Sequence, residues 1–322
     1  MTDGGRCYEP GEFCRQATEG AVGVAGDGET IVCETNDGLR WEPVSTTTSF
    51  TTTGFGTTTS FTTTGFGTTT SGVGLGTAAA FMGMAPTPTG RGYWLVTAQG
   101  RVSAHGDAAA LGTMYGKSLN APISHIVATP DGGGYWLVAA DGGTFAFGDA
   151  GFYGSMGGQQ LNAPVVDIAP TEDGKGYWLV ASDGGIFAFG DAGFYGSMGG
   201  HPLNAPVVGI APDYTTGGYW EVATDGGIFA FNAPFYGSMG GRSLNRPING
   251  MTATTDDLGY WFVASDGGLF AFGDAGFYGS MGGVPIAAPI VGMATDQATG
   301  GYWMLGAGGS VFAFQATYFG SD

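Results

Sequence analysis

Apolar residues in the larger, C-terminal part of the chain come in short runs separated by turn residues. Between residues 164 and 200 the runs are PVVDIAPT, GYWLVAS, GIFAFGD and FYGSMGG. The links between them, such as Ser182-Asp183-Gly184-Gly185, are short and consist of residues that suit tight turns. Because parallel strands would need much longer connections, the pattern predicts a unit of four antiparallel strands.

This unit recurs with an almost constant period. A Tyr-Trp dipeptide marks each copy, and successive dipeptides are 42, 42, 42, 41 and 42 residues apart. The six copies are Tyr93-Trp94, Tyr135-Trp136, Tyr177-Trp178, Tyr219-Trp220, Tyr260-Trp261 and Tyr302-Trp303. A period of this length is typical of small sheets that stack on their neighbours.

The second run of each unit is apolar on both faces. In GYWLVAS, Tyr177 and Leu179 point to one side of the strand, and Trp178 and Val180 point to the other. Such a strand must be covered on both sides, as it is in the blades of a propeller. We therefore expect an all-β fold, with a six-bladed β-propeller of four-stranded blades at residues 78–322. A linear β-solenoid is the alternative, but ring closure better protects the sheet edges.

The string GYWLVASDGGIFAFGDAGFYGSMGG at residues 176–200 resembles propeller repeats that are common in secreted and surface proteins of actinobacteria. The resemblance covers about three quarters of the chain. It implies a propeller that accompanies other modules. It implies no activity, because one fold carries many functions.

Residues 1–44 are expected to form a separate small module that holds Cys7, Cys14 and Cys33. Three cysteines allow one internal disulfide with a thiol left over, or an intermolecular bridge, and the pairing stays open. A zinc site is the weaker alternative, since all three histidines lie outside this segment. The segment resembles a short Cys-containing module at the ends of actinobacterial and actinophage proteins. Because it is too small for a large core, we expect it to anchor the chain to a partner.

Residues 45–77 contain the repeat TTTSFTTTGFG, and no charged residue occurs from Pro43 through Gly90. Tracts rich in Thr and Gly are often flexible linkers. The even spacing of Phe50, Phe55, Phe61 and Phe66 would instead suit a trimeric fibre shaft of strands and turns. The sequence leaves both interpretations open.

The charge of the chain restricts its partners. Nine Lys and Arg against 27 Asp and Glu give a net charge of −18, which repels nucleic acid and anionic membranes. No apolar run is long enough for membrane insertion, and the start, MTDGGRCYEPGEF, has no features of a signal peptide. Surface-type repeats without an export signal fit proteins that lysis releases, such as parts of phage particles. We therefore expect a virion, extracellular or cell-surface location.

Motifs for catalysis or metal binding are absent from the sequence, including Walker, HExxH, GxSxG and EF-hand patterns. Most carboxylates recur at turn positions, where an Asp side chain bonds nearby backbone amides. They are Asp141, Asp183, Asp225 and Asp266 before Gly-Gly, and Asp107, Asp149, Asp191 and Asp274 after Gly. A catalytic residue should be an exception to the repeat, and no acid-base pair stands out among the exceptions. We expect no enzymatic activity, no cofactor and no metal.

The variable positions lie at the tips of the loops between units. The tips read Lys117-Ser118, Gln159-Gln160, His201-Pro202, Arg242-Ser243 and Val284-Pro285. Varied residues on an invariant frame suit recognition, although neutral drift of solvated loops gives the same pattern. The residues expected to contact a ligand are Lys117, Gln159, Gln160, His201, Arg242, Asp183 and Asp225. We expect His105 and His125 to be packed or partly exposed.

These features predict a non-enzymatic surface-binding protein with an anchor, a shaft or linker, and a propeller head. The head would contact a cell-surface glycan or wall polymer, and the anchor would bind a tail or capsid protein. The best-placed example is a fibre or receptor-binding appendage of an actinobacterial phage, in which a homotrimer would gain avidity. A wall-associated or secreted binding protein and a carbohydrate-active enzyme are the alternatives.

Overall fold

The computed structural model describes residues 80–322 and three short strands nearer the N-terminus. Those strands are β1 (Val22–Val24), β2 (Thr30–Glu34) and β3 (Arg40–Pro43), and they form one antiparallel sheet in that order. The chain divides into two compact units, Met1–Val73 and Gly74–Asp322. The cysteine pairing and the shaft or linker at residues 45–77 lie outside the described residues, so they stay predictions.

The second unit contains six three-stranded antiparallel sheets, each built from three consecutive strands. The first strands are β4 (Phe81–Pro86), β7 (Ile123–Ala128), β10 (Val165–Pro170), β13 (Val207–Asp213), β16 (Ile248–Ala253) and β19 (Ile290–Thr295). The second strands are β5 (Gly92–Thr97), β8 (Gly134–Ala139), β11 (Gly176–Ala181), β14 (Gly218–Ala223), β17 (Gly259–Ala264) and β20 (Tyr302–Gly306). The third strands are β6 (Val102–Gly106), β9 (Thr144–Gly148), β12 (Ile186–Gly190), β15 (Ile228–Phe231), β18 (Leu269–Gly273) and β21 (Val311–Phe314).

The repeated all-β arrangement is consistent with a β-propeller-like fold, as the sequence predicts. The part of the chain that the structure describes contains strands and turns and no helix. In that part there is accordingly no helix long and apolar enough to cross a membrane.

The fourth run of each unit differs from its prediction. FYGSMGG at residues 194–200 forms no strand. Gly196 in this run has a φ of 132°, which lies outside the strand region. The hydroxyl of Tyr219, in the next sheet, accepts the N–H of Tyr195 at 3.2 Å and donates to the carbonyl of Gly196 at 2.6 Å. Because these backbone groups bond a side chain of another sheet, the run adds no fourth strand to its own sheet.

Neighbouring sheets are joined by a repeated aromatic contact. Trp178 of the third sheet packs on Tyr219 of the fourth, with 5.4 Å between ring centroids. Trp303 of the sixth sheet packs on Tyr93 of the first at 5.5 Å, and β19 contacts β4. The contacts between sheets therefore form a closed cycle. In each of the six sheets, the second strand is buried along its length, as its two apolar faces predict.

Two glycines of one loop allow a test of this packing between sheets. Gly154 and Gly158 both have positive φ, 146° and 82°. A Cβ at Gly154 would collide with the ring of Phe189 in the next sheet, whereas a Cβ at Gly158 would meet open space. We expect Gly158→Ala to lower the free energy of unfolding by about 1 kcal/mol through backbone strain, and Gly154→Ala by about 2–4 kcal/mol. Urea unfolding of both variants measures the difference, and equal losses would show that strain alone matters.

Candidate functional site

The first strands of the six sheets surround a cavity of about 650 Å³. Its lining runs from the second residue of each first strand into the turn that leads to the second strand. Much of the wall is apolar and includes Met82, Val166, Val208 and Val291. The volume lies within the range of about 300–1,000 Å³ that is typical of small-molecule pockets.

Two polar residues occupy positions in this wall that are glycine elsewhere. The third residue of the first strand is glycine in four sheets, at Gly83, Gly209, Gly250 and Gly292. In the second and third sheets it is His125 and Asp167. These two side chains meet, with 3.5 Å between Nε2 of His125 and Oδ1 of Asp167. The cavity therefore holds an imidazole–carboxylate pair that departs from the repeat.

A β-bulge sets the direction of the Asp167 side chain. The pairing of β10 with β11 shifts register between Val165 and Asp167, so that the ladder restarts at Asp167. The N–H of Ile168 donates to Oδ1 of Asp167 at 2.7 Å, and the N–H of Ile210, in the next sheet, donates to Oδ2 at 3.0 Å. The carboxylate thus joins β10 to β13 and is fixed in place.

The pair has a defined electrostatic arrangement. Burial raises the pKa of Asp167, and the neighbouring His125 and the two N–H donors oppose that rise. The half-buried ring of His125 lies over Gly83, where an added Cβ would stand 2.9 Å from Nδ1, so a side chain at Gly83 would displace the imidazole. Since Nε2 faces a carboxylate, the geometry favours the tautomer that is protonated at Nε2, which leaves Nδ1 as an acceptor.

Further polar side chains lie at the end of the cavity formed by the turns, namely Glu172, Tyr214, Asp257 and Gln297. Oδ2 of Asp257 accepts hydrogen bonds from the N–H and the hydroxyl of Thr215, at 2.9 and 3.2 Å. Burial raises the pKa of the Asp257 carboxyl, and the hydrogen bonds from Thr215 oppose this. Among the described residues, no group of three or more His, Cys, Asp or Glu side chains could hold a metal ion.

The loop tips that the sequence singles out lie apart from this cavity. In each of five loops the N–H of the tip residue donates to a methionine carbonyl three residues earlier, at 2.9 Å. The glycine just before the tip has a φ between 77° and 82° in all five. The tip residues are Lys117, Gln159, His201, Arg242 and Val284, and each is exposed, as is Gln160. None of them lines the central cavity.

The two aspartates among the predicted contact residues are turn residues. Oδ1 of Asp183 accepts the N–H of Gly185 at 3.0 Å, and Oδ1 of Asp225 accepts the N–H of Gly227 at 2.9 Å. The same bond occurs at Asp141 and Asp266, so the turn role is confirmed for this set. Two aspartates of the second set, Asp107 and Asp191, instead accept hydroxyl bonds from Thr87 and Thr171.

A third departure from the repeat lies between two sheets. Glu221 of β14 replaces an apolar residue, such as Leu179 of β11, and is fully buried. Neither of its carboxyl oxygens has a hydrogen-bond partner in the described part of the chain. Burial, and secondly the charge of Asp183, raise the pKa of Glu221 to about 8. Glu221 lies outside the lining of the cavity, so we expect its burial to lower the stability of the fold and to contribute nothing to binding there.

Comparison with known proteins relates the chain to others by fold alone. No family model matches the sequence, and no curated protein matches it. Many solved structures do match. One is a structural genomics protein of unknown function from Bacteroides thetaiotaomicron VPI-5482, with a TM-score of 0.50 and 13% identity. The match covers 74% of this chain and 70% of that one.

The pair His125 and Asp167 was missed by the sequence reasoning, which placed His125 among packed or partly exposed residues. The signal was present, because aligning the six first strands shows glycine at this position in four of them. The proximity of the two side chains could not be read from the alignment, since they lie 42 residues apart in sequence.

Proposed function

We propose that the chain is a non-enzymatic binding protein whose six sheets are the blades of one six-bladed propeller. The closed cycle of contacts between the sheets supports the ring. Recognition takes place at the face of the loop tips. The observation that carries this proposal is that five turns of the same geometry display five different exposed side chains. A constant frame with variable tips is the arrangement of a recognition surface.

The partner that best suits this face is an uncharged polymer with many hydrogen-bonding groups. The tips carry two cationic residues, Lys117 and Arg242, and two uncharged amides, Gln159 and Gln160, on a chain with a net charge of −18. A cell-surface glycan or wall polymer has the matching chemistry. A fibre or receptor-binding appendage of an actinobacterial phage would use such a head, with residues 1–44 as the attachment to the particle.

Exposed aromatic rings offer a second place for contact with a glycan, near the turns between first and second strands rather than at the loop tips. Five rings occupy one repeated position after the third strand and are 56–64% exposed, namely Phe152, Phe194, Phe235, Phe277 and Tyr318. The indole N–H of Trp178 donates to the carbonyl of Gly193 at 2.6 Å, which fixes the backbone next to Phe194. A rigidly held, exposed ring can stack on the apolar face of a sugar.

Substitution of the loop tips tests this proposal. We expect the combined variant Lys117→Ser, Gln159→Ser, His201→Ser and Arg242→Ser to bind isolated actinobacterial cell walls at least about tenfold more weakly than the wild type. Co-sedimentation with the walls measures the affinity. The control changes Asp173, Lys175 and Asp256, which are exposed in the turns between first and second strands, to serine. Equal binding by both variants would rule out the loop-tip face.

A further inference from the structure

The polar groups of the central cavity stand on two opposed walls. The first strands contact one another in the order β4, β7, β10, β13, β16, β19 and back to β4. In such a cycle β7 and β10 lie across the cavity from β16 and β19. His125 and Asp167 are on the first pair of strands, and Asn249, Thr252 and Thr295 are on the second. The residues of β4 and β13 that line the cavity are all apolar. The cavity is therefore a slot with two polar and two apolar walls.

The charges of the lining select against anionic ligands. Both oxygens of Asp167 already accept backbone N–H groups, so this carboxylate positions His125 rather than binding a cation. Neither lysine nor arginine lines the cavity along residues 80–322, and Glu172 and Asp257 at its end repel anions. The groups left for a ligand are mostly acceptors, including Nδ1 of His125 and the two carboxylates. An uncharged molecule with several hydrogen-bond donors suits this set.

The polar groups of the opposite wall are held in place by their own hydrogen bonds. The hydroxyls of Thr252 and Thr295 are 2.9 Å apart, and the Thr295 hydroxyl donates to the carbonyl of Ala253 at 2.7 Å. The side-chain N–H of Asn249 donates to the carbonyl of Ile290 at 2.9 Å, which leaves its Oδ1 as an acceptor. Both polar walls thus present acceptors that are fixed before a ligand arrives.

We propose that this cavity binds a neutral, polyhydroxylated molecule of one or two hexose units, with Nδ1 of His125 accepting one of its hydroxyls. A pyranose ring has apolar faces and a rim of hydroxyls. Its faces lie against β4 and β13, and its hydroxyls meet the two polar walls. Glu172 and Asp257 accept further hydroxyls through charge-assisted bonds. The cavity is separate from the loop tips, so this proposal does not depend on whether the loop tips bind a glycan.

The test uses the full chain and four probes: D-glucose, D-mannose, D-galactose and maltose. Saturation-transfer NMR detects binding, and titration calorimetry gives the dissociation constant. We expect at least one probe to bind saturably, and His125→Gly to raise its dissociation constant at least about tenfold. This change introduces the residue that four other sheets carry. The control is Lys175→Gly, at an exposed position outside both the cavity lining and the loop tips, which should bind the sugar as the wild type does.

A second variant tests the opposite wall. Asn249→Val introduces the residue found at this position in three other sheets, and we expect it also to weaken sugar binding, by about fivefold or more. It keeps the test decisive if His125→Gly fails to fold. Absence of binding by all four sugars overturns the proposal. So does sugar binding that neither cavity variant weakens, and so does binding of choline or acetate in place of the sugars.

Discussion

The variant Glu221→Leu is expected to be more stable than the wild type at neutral pH, by about 3 kcal/mol, with a gain that grows as the pH rises. Glu221 is fully buried between the third and fourth sheets, and its pKa is raised to about 8. An unfolded chain would release this proton near pH 4.5, whereas the folded chain holds it until about pH 8. Leucine occupies the same position in β11, so the surroundings can accommodate it.

The direction of the pH dependence follows from this difference. Below the pKa of the unfolded chain the Glu221 carboxyl is protonated in both states, so it costs the folded state nothing by ionising. As the pH rises from this value to the folded pKa of about 8, the unfolded chain loses its proton and the folded chain keeps it. The free energy of unfolding therefore falls by up to about 5 kcal/mol, because ionisation in the buried site is costly.

Urea unfolding at pH 5, 7 and 9 measures the effect. The difference between Glu221→Leu and the wild type should increase over this series and then level off. Gln160→Leu, which changes an exposed residue without a titratable group, is the control and should leave the slope of stability against pH unchanged. If the curves of wild type and Glu221→Leu run parallel from pH 5 to 9, Glu221 does not titrate as a buried acid.

Deletion of residues 319–322 is expected to lower the free energy of unfolding by at least about 4 kcal/mol. The N–H of Phe319 donates to the hydroxyl of Tyr93 at 3.2 Å, and that hydroxyl donates to the carbonyl of Gly320 at 2.7 Å. The ring of Phe319 also packs against Tyr93 and Trp303. Loss of one half-buried aromatic ring costs about 2 kcal/mol, and each lost hydrogen bond costs about 1 kcal/mol.

Two Tyr→Phe substitutions separate the contribution of the hydrogen bonds from that of the packing of the Phe319 ring. Tyr93→Phe removes only the bonds to residues 319 and 320, and Tyr219→Phe removes the equivalent bonds between the third and fourth sheets. Each should cost about 2 kcal/mol in thermal or urea unfolding. A deletion that costs no more than Tyr93→Phe would show that Phe319 contributes nothing to the junction of the first and sixth sheets.

Much of the fold could be predicted because its signals are local. The run GYWLVAS at residues 176–182 became β11 (Gly176–Ala181), since alternating apolar residues and flanking turn residues define a strand by themselves. The run FYGSMGG forms no strand, although its residues predict one, because Tyr195 and Gly196 bond the hydroxyl of Tyr219, more than twenty residues later and in another sheet. Nothing within the run itself indicates that partner.

The candidate site was harder to predict from the sequence, because it too depends on contacts between residues that are far apart in the chain. The departures at His125, Asp167 and Glu221 can be seen by aligning the six units, but their meaning depends on what surrounds them. His125 and Asp167 form a pair because the cycle of sheets brings two successive first strands side by side. Glu221 has a raised pKa because the third sheet covers it, and no property of its own strand gives that information.

The junction between Tyr93 and Phe319 also affects how the protein can be made. These residues are 226 positions apart, so the first sheet cannot meet its last neighbour until the sixth repeat has left the ribosome. At about 5–20 residues per second this delay is roughly 10–45 s. Throughout that time the face of the first sheet that Trp303 later covers is open to other nascent chains. Translation rate and chaperone supply, rather than equilibrium stability, should then set the yield of correctly closed molecules.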